Sequence, residues 1–101
     1  RLRAARLRMG IIQGQLGERI GLDEGTSSAR ISRYETGANE PAFRVAERLA
    51  EALGVPLAYF YCADDRMADI LLGLAALSED ELIAVQASVW RMLEERNKTG
   101  R

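Results

Sequence analysis

The sequence contains no histidine, and it has only one cysteine and one lysine among its 101 residues. Without histidine, the chain lacks the commonest general base and the commonest metal ligand. The lone cysteine, Cys62, excludes an internal disulfide, and by itself it cannot form a zinc site or a Cys–His nucleophile. We therefore expect no catalytic residues, no metal ion, no cofactor and no enzymatic activity.

Long apolar runs are also absent from the sequence. No stretch reaches the roughly 18 consecutive apolar residues of a membrane-spanning helix, and the first residues lack the apolar segment of a secretory signal. A single cysteine suits the reducing cytoplasm. The expectation is a cytoplasmic protein with no membrane partner, long enough for one small domain and an appendage.

The charge is distributed unevenly along the chain, although the net charge is only −1. Residues 1–34 carry seven arginines against three acidic residues, a net charge of +4. Residues 35–101 carry seven basic residues against twelve acidic ones, a net charge of −5. Binding to a polyanion is therefore expected at the first third of the chain, with the acidic remainder turned away.

Apolar residues recur at helical spacing, and no convincing alternation of period two is present, so the sequence predicts an all-α fold. Glycine, proline and capping residues delimit seven segments. The first five helices would form one domain, residues 1–61, and the last two a C-terminal helical extension, residues 62–101. The predicted helices are Leu2–Met9, Gln13–Ile20, Ser27–Thr36, Ala42–Leu53, Leu57–Tyr61, Arg66–Leu77 and Glu79–Arg96.

The third predicted helix has two contrasting faces. With Ile31 at the centre of the buried face and a rotation of about 100° per residue, Tyr34 and Glu35 fall on the same side. Small residues on the opposite face would let the backbone approach base edges in a DNA major groove, and arginine can reach guanine there. On this face alone, a solvated surface explains the pattern equally well. The outward residues are Thr26, Ala29, Arg30 and Arg33, with Ser32 on the flank.

The segment ARISRYETGANEP and its surroundings resemble the lambda-repressor/Cro-type helix-turn-helix family, also called the XRE family. The resemblance covers residues 2–61. It implies a five-helix lambda-repressor-like DNA-binding domain and a transcriptional regulator of double-stranded DNA, more often a repressor in this family. The residues that carry it are Arg6, Gln13, Leu16, Ile31, Ser32, Glu35, Gly37, Pro41, Leu49, Leu53 and Gly54.

The resemblance also implies roles for individual residues. Ser28, Ala29 and Arg33 stand where the family reads bases, and Arg30 and Ser32 would touch bases or phosphates beside them. The residue that opens the second helix would bind a phosphate or support the third helix, and backbone N–H groups at 37–39 would meet another phosphate. The complete set of DNA-binding candidates is Gln13, Thr26, Ser28, Ala29, Arg30, Ser32, Arg33 and Asn39.

Two further features concern the ends of the third helix. Arg6 and Glu35 match a structural ion pair that ties the first helix to the third in this family, and each lies near the apolar side of its helix; two unrelated surface charges are the alternative. The segment 23–26 looks like an insertion of about four residues relative to the family. It leaves the start of the helix open, with Ser27 as the predicted N-cap.

The C-terminal helices carry more apolar residues than a five-helix domain can plausibly cover. Leu82, Val85, Val89 and Met92 have the 3-4-3 spacing of a helix-packing seam. We favour a homodimer that binds a pseudo-palindromic operator, with half-sites about 34 Å apart or a multiple of that distance; packing onto the same chain's domain is the alternative. The alternative function is a protein-interaction module, an antitoxin or adaptor that holds a partner protein, and the sequence leaves a small-molecule effector open.

Overall fold

The computed structural model describes residues 1–99, which form helices and connecting turns with no strand among them. The predicted all-α fold is confirmed. The helices are α1 (Leu2–Met9), α2 (Gln13–Arg19), α3 (Glu24–Thr36), α4 (Phe43–Leu53), α5 (Leu57–Tyr61), α6 (Asp65–Ala75) and α7 (Glu79–Thr99).

Among the described residues, α1, α3 and α4 each end at a glycine in the left-handed region, which a residue with a side chain rarely adopts. Gly10 closes α1 with φ 77°, Gly37 closes α3 with φ 81°, and Gly54 closes α4 with φ 68°. The chain can therefore reverse direction directly after each helix. The sequence predicts all three of these stops and a fourth at Gly21, which has φ 91° and lies one residue beyond the C-cap of α2.

Helices α1 to α5 surround a single apolar core. Leu16 from α2, Ile31 from α3 and Leu49 from α4 are its largest fully buried hydrophobic side chains. Helix α4 is strongly amphipathic, since Ala46 and Leu53 lie on the same buried face as Leu49. Burial of each large side chain contributes about 1.5–3 kcal/mol to folding.

The beginning of α6 packs on the same core. Ala68 is only 1% exposed, and Leu72 packs against the core cluster. The Asp64 carboxylate caps α6 by accepting a hydrogen bond from the Met67 N–H at 2.8 Å. Contacts thus continue across the domain boundary that the sequence predicts after residue 61, and that boundary remains a prediction.

Helix α7 extends away from the other helices. Its start is fixed by a capping box, in which the Glu81 N–H donates to the Ser78 hydroxyl at 3.1 Å and the Ser78 N–H donates to the Glu81 carboxylate at 2.9 Å. Beyond its start, α7 forms no extensive interface with any other helix in the described part of the chain. The molecule is accordingly elongated, at 59 × 28 × 22 Å. None of the helices within residues 1–99 has the length and apolar character needed to cross a membrane.

The predicted start of α3 is wrong. The helix begins at Glu24 rather than after Ser27, so most of the polar segment 23–26 is the first turn of the helix. Asp23 occupies the N-cap position, and its carbonyl accepts hydrogen bonds from the hydroxyls of Thr26 at 3.3 Å and Ser27 at 2.8 Å. Hydroxyl side chains that satisfy the backbone of the first turn also suit a loop before a helix, which is why the sequence was ambiguous here.

Candidate nucleic-acid interface

Helices α2 and α3 approach each other closely because both have a small residue at the point of contact. A Cβ atom placed on Gly17 would lie 2.5 Å from the Cβ and 2.8 Å from the Cα of Ser27, too close for either residue to be larger without a shift. Ser27 is fully buried, and its hydroxyl is satisfied by the Asp23 carbonyl. This contact sets the position of α3 relative to α2.

The two-faced character predicted for α3 is present in the structure. Ile31 is fully buried, and Tyr34 and Glu35 lie partly buried on the same side. The side chains of Arg30 and Arg33 lie on the exposed side of the helix. The other candidates on this helix are distributed in the same way: Thr26, Ser28 and Ala29 are exposed, and Ser32 is half-buried on the flank.

Arg6 and Glu35 form a largely buried ion pair between α1 and α3. The Arg6 Nε donates to Glu35 Oε2 at 2.5 Å and its Nη2 donates to Oε1 at 3.1 Å, so the pair is bidentate. The Glu35 side chain is only 4% exposed. The Arg6 Nη1 also donates to the carbonyl of Ile11, just before α2, at 3.0 Å. One arginine side chain therefore joins α1 to the beginning of α2 and the end of α3.

The same carboxylate connects the core to the surface. The Gln13 side-chain amide donates to Glu35 Oε1 at 3.1 Å, and the Gln13 carbonyl oxygen accepts a hydrogen bond from the Ser28 hydroxyl at 3.3 Å. Because the acceptor of the Ser28 hydroxyl is the side-chain oxygen Oε1 of Gln13, these contacts fix which way the Gln13 amide faces and hold it beside the exposed face of α3. The sequence did not predict the Gln13–Glu35 contact, because the two residues are far apart along the chain and only the folded helices bring them together.

The pKa of Glu35 lies below its ordinary value. Burial raises this pKa, but the hydrogen bonds from Arg6 and Gln13 and the positive charge of Arg6 together outweigh the effect of burial. The ionised carboxylate therefore adds to stability above the ordinary carboxyl pKa, and this contribution is lost as the pH falls through the lowered pKa of the folded state.

Asn39 follows α3 and is exposed. Its backbone N–H, one of those expected to meet a phosphate, donates to the carbonyl of Arg33 at 3.2 Å. This N–H is therefore already used by a hydrogen bond within the chain. Within residues 1–99, no group of three or more acidic or cysteine side chains is placed to hold a metal ion.

The helix pair α2–α3 lies within the part of the chain that a helix-turn-helix family model matches, residues 2–60. This chain belongs to the XRE-type helix-turn-helix family. The resemblance stated from the sequence is therefore confirmed, and α3 is the recognition helix of this motif.

A solved structure supports the same assignment. The crystal structure of the transcriptional regulator BswR matches this chain with a TM-score of 0.89 and 37% sequence identity, over 94% of each chain. The match therefore extends beyond the helix-turn-helix domain into the C-terminal helices. A search of curated protein sequences found no match. Family and structural neighbour together identify a DNA-binding regulator and not an enzyme.

The extra turn at the start of the recognition helix was not predicted from the sequence. Gly25 within that turn, with Asp23 and Glu24 before it, has the composition of a loop. The signal that was missed is Ser27. It lies one helical turn before Ile31, so a helix that includes both residues places both on its buried face.

Proposed function

We propose that this protein is a transcriptional repressor that occupies a pseudo-palindromic operator as a homodimer and so excludes RNA polymerase. The observation that carries the proposal is the orientation of the recognition helix. Ile31 and Ser27 anchor it to the core, whereas Arg30 and Arg33 lie on its exposed side. A helix anchored in this way can enter a major groove about 12 Å wide with its arginines towards the bases.

The exposed residues of α3 divide into two groups in this proposal. Ser28, Ala29 and Arg33 face the base edges, where Arg33 forms a bidentate contact with a guanine. Arg30 and Ser32 contact bases or phosphates beside them. Phosphate contacts from Gln13, Thr26 and Asn39 would set the register of the helix without reading sequence.

The hydrogen bonds of Gln13 support its assigned role. Glu35 and Ser28 already fix the orientation of its amide, so the side chain would lose little conformational freedom when it meets a phosphate. The cost of binding would be lower for such a side chain than for a free one.

The homodimer is supported by the apolar side chains that the C-terminal helices expose, including Val89 at 49%, Trp90 at 59% and Met92 at 68%. Burying such a surface favours association of two chains. A two-fold axis between them would present two recognition helices to two half-sites, which lengthens the sequence read.

Selection of bound duplexes from a random pool tests the proposal. We expect an inverted repeat whose half-sites are spaced by about one helical turn or a multiple of it. With contacts to about 6–10 phosphates, affinity should fall by about 10³–10⁵ between 50 and 200 mM salt. A protein that only holds a partner protein would show no salt-sensitive binding to duplex DNA.

Arg33→Ala tests the reading role on the selected duplex. We expect discrimination at one base position to fall by about 1–3 kcal/mol, because the guanine contact is lost. Arg66→Ala, which removes an exposed arginine from α6, is the matched control and should leave affinity and specificity unchanged. Unchanged base preference in Arg33→Ala would contradict the assignment.

A further inference from the structure

One arginine side chain joins the beginning of the chain to the connection between α5 and α6. The Arg1 Nε donates a hydrogen bond to the Cys62 carbonyl at 2.8 Å, and its Nη2 donates to the Ala63 carbonyl at 3.1 Å. The same Nη2 lies 2.9 Å from the Asp65 carboxylate in the first turn of α6. Arg1 therefore contacts the end of α5, the first turn of α6 and the backbone between them, although it precedes α1 in the sequence.

The position of Arg1 is fixed on both sides. Its guanidinium lies over the ring of Tyr59, with the carbon atom Cζ 5.8 Å from the ring centre, which is within the range of a cation–π contact. Tyr59 is itself buried in the core. The Arg1 carbonyl accepts a hydrogen bond from the N–H of Ala5, another core residue, at 3.0 Å. Arg1 is therefore a fixed link between α1 and the α5–α6 connection, rather than a mobile surface charge.

Few other contacts determine the direction in which α6 leaves the first five helices. Ala68 and Leu72 pack on the core, and in the part of the chain that the structure describes α6 has an appreciable interface only with the short helix α5. Apolar contacts are non-directional, whereas hydrogen bonds weaken steeply when their geometry changes. The Arg1 hydrogen bonds are thus the contacts best suited to fix the angle of α6.

The direction of α6 matters for DNA because α6 and α7 are the C-terminal helices proposed to hold two chains together. In such a homodimer they are the linker between the two recognition helices. A rigid linker of the right length permits both recognition helices to meet their half-sites at one spacing, whereas a flexible linker permits many spacings and favours each of them less. An arrangement that holds α6 at one angle therefore selects one spacing of half-sites.

We propose that Arg1 is a positioning residue that sets the half-site spacing read by the homodimer. It acts by holding the α5–α6 connection at one angle, and in this role it does not touch DNA. The inference rests on the proposed homodimer and goes beyond it, since it names the residue on which the operator spacing depends.

Duplexes with two selected half-sites at different spacings test this inference. Arg1→Met retains a long side chain that can pack on Tyr59, but it loses the positive charge and both hydrogen bonds. For the unmodified chain, we expect the best-spaced duplex to be bound about 10²–10⁴-fold more tightly than a single half-site. In Arg1→Met this ratio should fall by about tenfold or more, because the linker is no longer held at one angle. The affinity of the variant for a single half-site should be unchanged.

Two matched variants separate the hydrogen bonds of Arg1 from its charge. Arg8→Met removes an exposed arginine from the other end of α1 and should leave the spacing preference unchanged. Asp65→Asn removes only the ion pair with a carboxylate that is 94% exposed, and it should retain most of the preference because exposed ion pairs contribute little. An equal loss of preference in Arg8→Met would show an effect of net charge and would overturn the inference.

Hydrogen exchange gives a second readout that does not need DNA. The Ala68 N–H, which donates to the Asp64 carbonyl at 2.9 Å at the start of α6, should exchange faster in Arg1→Met, while the Ile31 N–H in α3 should not change. Unchanged exchange at Ala68, or a dimer that keeps its spacing preference in Arg1→Met, would overturn this inference and leave the proposed homodimer intact. If the unmodified chain is a monomer in light scattering at tens of micromolar, the homodimer and this inference both fail.

Discussion

Ser27 in α3 and Trp90 in α7 both lie on helices that the sequence predicts, yet Ser27 is fully buried and Trp90 is 59% exposed. The α2–α3 region packs within one chain, since Leu16 and Ile31 are buried and the Glu35 carboxylate pairs with Arg6. The α6–α7 region, in contrast, leaves large apolar side chains exposed, including Met67, Ile83 and Met92. Periodicity thus identifies a face that needs burial, but it does not say whether the same chain supplies the cover.

The largest effect is expected from breaking the ion pair at the centre of the first region. Glu35→Ala leaves the Arg6 guanidinium buried without its carboxylate, which should cost about 3–5 kcal/mol of unfolding free energy. The domain should then unfold at a much lower temperature, rather than only bind DNA less tightly. Thermal melting followed by circular dichroism measures this.

Glu47→Ala, at an exposed position of α4, is the control for the loss of a carboxylate. It should change the unfolding free energy by no more than about 0.5 kcal/mol. Normal melting of Glu35→Ala together with lost DNA binding would contradict a structural role for the pair.

A smaller effect is expected where α2 and α3 touch. Gly17→Ala places a methyl group against the backbone of Ser27, and the resulting displacement should cost about 1–3 kcal/mol of unfolding free energy. Gly14→Ala in the same helix meets no atom within 4 Å and serves as the matched control. It should be neutral or stabilising by up to about 1 kcal/mol. Equal denaturation midpoints in urea for the two variants would show that the close approach does not constrain the helices.

The smallest effect is expected in the second region. Ile83→Ala removes a side chain that is 55% exposed. At concentrations low enough for the chain to be monomeric, the unfolding free energy should change by less than about 0.5 kcal/mol. Leu49→Ala in the core should cost about 2–5 kcal/mol under the same conditions. A loss of similar size for Ile83→Ala would mean that α7 is already packed within one chain.

Much of the fold could be predicted from local signals. Glycines at 10, 37 and 54 stop helices for a steric reason, and the Ser78–Glu81 box starts α7 through two short-range hydrogen bonds. The start of α3 could not be predicted in this way. Whether Ser27 caps or is buried depends on Gly17 of the neighbouring helix, and such a contact is invisible to local propensity.

The candidate interface also contains features that local sequence signals predict and features that only the folded structure shows. The outward direction of Arg33 follows from helical periodicity about Ile31, and the structure agrees. The Gln13–Glu35–Ser28 contacts join three segments and require the folded arrangement. The hydrogen bond from the Asn39 N–H to the Arg33 carbonyl likewise depends on the path of the chain after Gly37.

Arg6 imposes a requirement of shape on the place where α1, α2 and α3 meet. Its guanidinium is a rigid planar fork that faces the Ile11 carbonyl on one side and the Glu35 carboxylate on the other. A lysine would keep the positive charge, but its single nitrogen at the end of a flexible chain cannot satisfy both directions at once. A substitution that conserves charge at this position would therefore still lose part of the hydrogen bonding that joins the three helices.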